Sequence, residues 1–211
     1  MAVPLIHPQL PRCRRPARRA RRTASYEAIR LWCRKFCPAY AHNLRRRQGR
    51  LGDVWHLDEV FIRIRGERYY LWRAVGQDGD VLDILVTRRR NARAAKRFFR
   101  KLRKGQGGSP SQLVTDKLES YAAARRDLGL TAAHRTGRYE NNRAEVSHQH
   151  SRGRERHMRR FKSAGQAQRF LVVHAALGNA FRVACHRLQA RHYRLCREQA
   201  FHAWDLATCG S

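Results

Sequence analysis

Acidic side chains are scarce in this chain. Only 16 Asp and Glu stand against 46 Lys and Arg in 211 residues, a formal charge of +30. Such a surface excludes a partner that is itself basic and seeks a polyanion, most commonly nucleic acid. Cysteine occurs six times but never as Cys-x-x-Cys, and the Cys33/Cys37 pair has no second pair at zinc spacing. That absence argues against a structural zinc site and leaves reduced, mostly buried thiols as the expectation. No apolar run approaches the length of a transmembrane helix, and Met1 to Ile6 is too short for a signal-peptide core. Proline is confined: four of the six precede residue 23, among the arginines of Arg12 to Arg22. With no periodicity there, residues 1–22 read as a disordered basic arm.

What is present is a core. Hydrophobic residues make up 42% of the chain. The length suits one domain with a small appendage. The stretch Trp55 to Arg65 reads as a strand rich in aromatic and β-branched residues. Val54, His56, Asp58, Val60, Ile62 and Ile64 share one face; Trp55, Leu57, Glu59 and Phe61 share the other. Both faces are largely apolar, which predicts a central, buried strand. A carboxylate there requires a cation, either a basic side chain or a metal, and the strand alone leaves the two open.

Before this strand, Ser25 suits an N-cap. Ile29, Trp32, Cys33 and Phe36 recur at helical spacing, predicting a helix over 26–36 that ends at Pro38. Residues 39–50 read as a basic linker. After it come a turn at Arg65–Glu67, a strand from Arg68 to Val75, a hairpin at Gln77–Asp80 and a strand from Val81 to Thr87, an antiparallel meander. A helix over Arg90–Lys104 turns Ala94, Ala95, Phe98, Phe99 and Leu102 inward. A short strand, Gln112 to Thr115, ends at Asp116. A helix over 118–128 closes at Gly129. Another opens at Asn141 or Asn142 and carries Glu145. A long helix over about 166–197 follows a break at Ser163–Gly165.

Three of the few acids sit at telling places: Asp58 inside the first strand, Asp116 at the end of the strand after the crossover, Glu145 in the first turn of a later helix. A strand, crossover and strand can set Asp58 beside Asp116, and a helix packed on the sheet can add Glu145. Clustered carboxylates on so basic a protein make sense around divalent metals, which clamp both oxygens of an in-line phosphoryl displacement. Each acid also has a plain structural reading, since Asp116-x-x-Glu119 and Asn142-x-x-Glu145 loosely fit a capping box. His148, Gln149 and Arg152 share the helix face of Glu145. Arg154, Arg156, Arg159, Arg160 and Lys162 continue a basic stripe suited to a DNA backbone.

The runs Trp55-His56-Leu57-Asp58-Glu59, Tyr70 to Val75, Val114-Thr115-Asp116-Lys117, Asn141 to Glu145 and Arg154 to Ser163 resemble the insertion-sequence-six family of bacterial and archaeal DDE transposases. The resemblance runs in order from about Ser25 to the C-terminal helix. It implies an α/β fold, an RNase H-like mixed sheet flanked by helices, over residues 51–211. Residues 23–50 would then form a short, incomplete helix-turn-helix and basic linker. It implies two Mg²⁺ ions, with Mn²⁺ a possible substitute, held by Asp58, Asp116 and Glu145, and a further catalytic role for Arg152. Asp58 would bridge both ions. The activity implied is nicking of double-stranded DNA at element ends and strand transfer into target DNA, by a homo-oligomer in the prokaryotic cytoplasm, at the nucleoid and away from membranes. Two departures qualify it: the Asp116–Glu145 separation is short, and the Arg/Pro-rich arm stands where the first DNA-binding helix belongs. A DNA-binding remnant defective in end recognition, and a basic RNA-binding structural protein, are the competing readings.

Overall fold

The computed structural model describes residues 24–48, 52–116, 119–136, 160–181 and 189–209, with Asn141, Ala144, Ser147, His148 and Gly153 between them. Its centre is β1 (Val54–Ile64). Ile64 turns through Arg65 (φ 53°) and Gly66 (φ 84°) into β2 (Glu67–Gly76). Two successive positive φ angles match the twist of the flanking strands, and Gly66 adopts one without steric cost. A second tight turn at Gly79 leads to β3 (Val81–Thr87). β1 pairs antiparallel with β2 and β2 with β3, so the meander forms as its turn residues predict.

α2 (Ala92–Gln106) then crosses over one face of the sheet. Asn91 caps its start by accepting from the Ala94 amide at 3.0 Å, and Gly107 in the left-handed conformation ends it. β4 (Gln112–Thr115) runs parallel to β1, with Leu57 opposite Thr115. α3 (Glu119–Asp127) leads to β5 (Ala133–Arg135), parallel to β4. The strand order is β3-β2-β1-β4-β5. This is a mixed sheet, as expected, with β1 at its centre. The three-residue β5 escapes a sequence reading because it is too short to show a period; its ladder to β4 defines it.

Both faces of β1 are covered, by different layers. Trp55 and Leu57 join Trp72, Phe98, Phe99, Leu102, Leu113 and Tyr121 under α2 and α3. Ile62 and Ile64 join Leu71, Ile84, Phe161 and Leu171 on the other side, where α4 (Ala164–Phe181) packs on β3. Each such side chain, fully buried, stabilises the fold by roughly 1.5–3 kcal/mol. Ser163 caps α4: its Oγ accepts from the Gln166 amide at 3.1 Å while Gln166 Oε1 accepts from the Lys162 amide at 2.7 Å.

Three expectations are corrected. The helix predicted to stop at Pro38 runs on: α1 spans Tyr26–Gln48 with Pro38 inside it. An internal proline costs a helix about 3 kcal/mol. Here the following turns are fixed from outside. Ala41 and Leu44 are buried, and Asn43 and Arg47 donate to the carbonyls of Ala207 and Leu206 in the last turns of α5 (Ala190–Cys209). Residues 39–48 are thus packed helix rather than linker. Second, the single long helix is replaced by α4 and α5. Phe181 meets Phe201 at 5.3 Å and Trp204 at 6.1 Å, ring centre to ring centre. A continuous helix would hold residues 181 and 201 about 30 Å apart, so the chain folds back. Residues 182–188, within that predicted helix, lie outside the described residues. Third, the thiols that are described are not buried: Cys33 is exposed, and Cys37 and Cys196 are half-buried. No described helix is long and apolar enough to cross a membrane.

Candidate active site

The parallel β1–β4 ladder ends at Leu57 and Thr115, so the next residues, Asp58 inside β1 and Asp116 just past β4, lie side by side. They stand at the C-terminal end of β4, the position where open α/β sheets gather ligands. One carboxylate oxygen from each of Asp58, Glu59 and Asp116 lies within 4.8 Å of the other two. Among the described residues these are the only three metal-ligating side chains grouped so closely. All the donors are oxygens, the set that Mg²⁺ and Mn²⁺ accept.

Two basic side chains, His148 and Arg90, meet the three acids. Asp58 Oδ2 lies 3.3 Å from His148 Nε2, and both side chains are nearly buried. Arg73 is the cross-strand partner of Asp58, buried, and donates through Nη1 to the Ser147 carbonyl. Asn141 Nδ2 donates to the Leu57 carbonyl at 2.6 Å. Asn141 and His148 thereby reach β1 at Leu57 and Asp58, and Ser147 reaches Arg73 of β2. Asp116 Oδ2 lies 3.6 Å from Arg90 Nη2, and the same nitrogen donates to Glu59 Oε1. Beside Asp116, the Thr115 hydroxyl bonds His134 Nε2 at 2.8 Å. Burial, with Arg125 nearby, holds the His134 ring below its usual range.

Glu59 points to the opposite face from Asp58, into the aromatic layer, where its side chain is 1% exposed. Burial pushes its carboxyl up to about 7, against the pull of neighbouring Tyr121 and Arg90. Tyr121, fully buried and packed edge-on against Trp72, is pushed well above its ordinary range by that burial and by Glu59.

The family model described as a DDE domain, of the IS240 transposase type, matches residues 52–183. The chain belongs to the DDE transposases of insertion sequences. The transposase for the IS431mec element of Staphylococcus aureus is 29% identical over 124 residues, which cover 56% of this chain and 55% of that one. The transposase of element IS257 in transposon Tn4003, also from S. aureus, matches to the same extent. The chain spans about half the length of the curated relatives it matches. Among solved structures, the catalytic domain of Mos1 mariner transposase superposes with a TM-score of 0.47 at 14% identity, covering 83% of this chain and 93% of that one. The HTLV-2 integrase catalytic core in complex with magnesium gives 0.40 at 14% identity, covering 75% and 87%.

Of the acids expected at a DDE site, Asp58 and Asp116 are adjacent in space. Glu145 lies outside the described residues, as do Arg152, Arg154, Arg156 and Arg159. Arg160 and Lys162 are exposed on the approach to α4, flanking the buried Phe161. Sequence reasoning missed Glu59 and Arg90. The signal was available: period-2 alternation sets Glu59 among Trp55, Leu57 and Phe61, where a carboxylate needs a cation, and Arg88-Arg89-Arg90 follows β3 directly.

Proposed function

We propose that this chain is the catalytic part of a DDE transposase that nicks double-stranded DNA at element ends and transfers the freed 3′ ends to target DNA. The observation that carries the reading is the pairing of Asp58 and Asp116 at the end of the β1–β4 ladder, inside the residues matched by the family. Asp58, Asp116 and Glu145 would hold two Mg²⁺ ions, or Mn²⁺ in their place, which lower the pKa of attacking water or hydroxyl and neutralise charge on the scissile phosphate. Support for Glu145 comes from its neighbours. Ala144 and His148 are buried, and Asn141 bonds the strand one residue before Asp58.

The protein's own groups do the positioning. His148 orients the Asp58 carboxylate, and Arg73 secures the helical segment through the Ser147 carbonyl. No side-chain nucleophile is required, because water or a 3′-OH attacks the phosphate. The charge of +30 supplies DNA affinity. Arg154, Arg156, Arg159, Arg160 and Lys162 contact phosphates, and Arg152 stands beside the reacting diester. The working species is a homo-oligomer on paired ends, in the cytoplasm at the nucleoid.

The test is a nicking and strand-transfer assay on labelled duplexes carrying the element's ends, with Mg²⁺, with Mn²⁺ and with chelator. Metal-dependent 3′ nicking that disappears in Asp58→Asn and in Asp116→Asn is expected. Cleavage at undiminished rate in chelator, or in either variant, would refute the assignment.

A further inference from the structure

Asp58 and Glu59 are neighbours that face opposite sides of the sheet, and the group that links the two sides is a guanidinium. Arg90 makes its close contact with Glu59 Oε1 and a longer one, 3.6 Å, with Asp116 Oδ2. This arrangement is more than a loose surface pair. The Thr87 hydroxyl donates to the Arg89 carbonyl at 2.9 Å, and Asn91 is the N-cap of α2. The backbone is therefore pinned on both sides of Arg90. The anchoring carboxylate is 1% exposed, whereas the Arg90 side chain is 40% exposed and reaches Asp116 from outside.

We propose that Glu59 is a positioning residue that holds the Arg90 guanidinium off Asp116, keeping that carboxylate available to a divalent cation beside Asp58. The inference rests on the metal reading given above. A cation and Arg90 compete for the same carboxylate, and each raises the cost of placing the other. At 3.6 Å, Arg90 pairs with Asp116 more loosely than with Glu59 and offsets part of the repulsion between Asp58 and Asp116 in the metal-free protein. Deprived of Glu59, the guanidinium closes on Asp116 and competes directly with metal.

Through-space charge alone would also shift single variants of Glu59 and Arg90 in opposite directions, but additively, so a double variant that returns to wild-type affinity overturns the proposal. The experiment is calorimetric titration of Mn²⁺ into the full chain at fixed pH and ionic strength. Arg90→Gln is expected to bind Mn²⁺ roughly threefold to tenfold more tightly than wild type, a modest change because Arg90 is partly screened by solvent. Glu59→Gln is expected to bind more weakly by a similar factor. The double variant is expected to match Arg90→Gln, since no guanidinium is left to restrain. Weaker or unchanged binding in Arg90→Gln overturns the proposal. So does a shift of both single variants in the same direction. Because Arg90 is partly exposed, its variant carries the test even where Glu59→Gln folds poorly. Asp116→Asn separates the two readings. If it binds Mn²⁺ as wild type does, the metal site itself is misassigned and the proposal falls with it. If it loses binding while the single variants move together, only the role of Glu59 is overturned.

Discussion

At residue 58 the chain spends one of its few carboxylates inside its central strand, within 4.8 Å of a second at residue 116. Two like charges so close disfavour the metal-free fold. Removing one by Asp58→Asn or Asp116→Asn should abolish nicking, by roughly three orders of magnitude or more, and leave the thermal midpoint unchanged or raised. Glu145→Gln should abolish nicking equally. Residues acting as one unit are not additive, so double variants should be hardly worse than single ones. A variant that lost activity only by losing its folded structure would count against a chemical role. Glu59 adds a pH dependence. Its folded carboxyl sits at about 7 against an ordinary value of 4.5, because it is buried. The folded state therefore binds more protons than the unfolded state between these values, and stability falls as pH rises through that window. In metal-free buffer the urea midpoint should decline between pH 5 and pH 8, and Glu59→Gln should flatten that decline. A wild-type slope no steeper than the variant's would contradict the buried, raised carboxyl.

At the scale of elements, α1 is two things in one helix. Its first half leaves Ile29, Trp32 and Phe36 substantially exposed; its second half buries Ala41 and Leu44 against α4 and α5. Leu44→Ala should cost about 2–5 kcal/mol in chemical denaturation, the range for truncating a buried leucine. A loss within about 0.5 kcal/mol, as at an exposed linker position, would show that this half is not packed. Sequence inspection ends the helix at Pro38 because proline breaks local helical bonding. The contacts that outweigh it come from about 160 positions away, from the end of α5, beyond the reach of any local pattern.

Over the whole molecule, the proposed binding of DNA rests on the charge of +30. Each neutralised phosphate releases counterions, so affinity for arbitrary duplex should fall linearly with the logarithm of salt concentration. Replacing Arg156, Arg159 and Arg160 together by Ala should flatten that slope by up to ~3. Filter binding on random-sequence duplex measures it, and an unchanged slope would place this basic stripe away from DNA. Asp58→Asn should keep the wild-type slope within one unit, because one buried acid changes the chemistry rather than the electrostatic footprint.

The meander, the crossover helix and the central strand were legible in the sequence because turns and periodicity are local. Gly66 and Gly79 stand where the chain needs positive φ, and Phe98, Phe99 and Leu102 mark one helix face. Asp58 stood out for the same reason: a lone acid on an apolar period must be explained. That Asp58 and Asp116 meet followed from strand–crossover–strand topology, and the register of Leu57 with Thr115 realises it. The reversal between α4 and α5, the passage of α1 through Pro38 and the three-residue β5 depend on partners distant in sequence. The tie among Glu59, Arg90 and Asp116 is of that kind as well. Alternation told which face Glu59 occupies; only the folded chain brings a guanidinium from the far end of β3 to a position between two acids, because side chains on opposite faces of a strand meet only where the neighbouring strand ends.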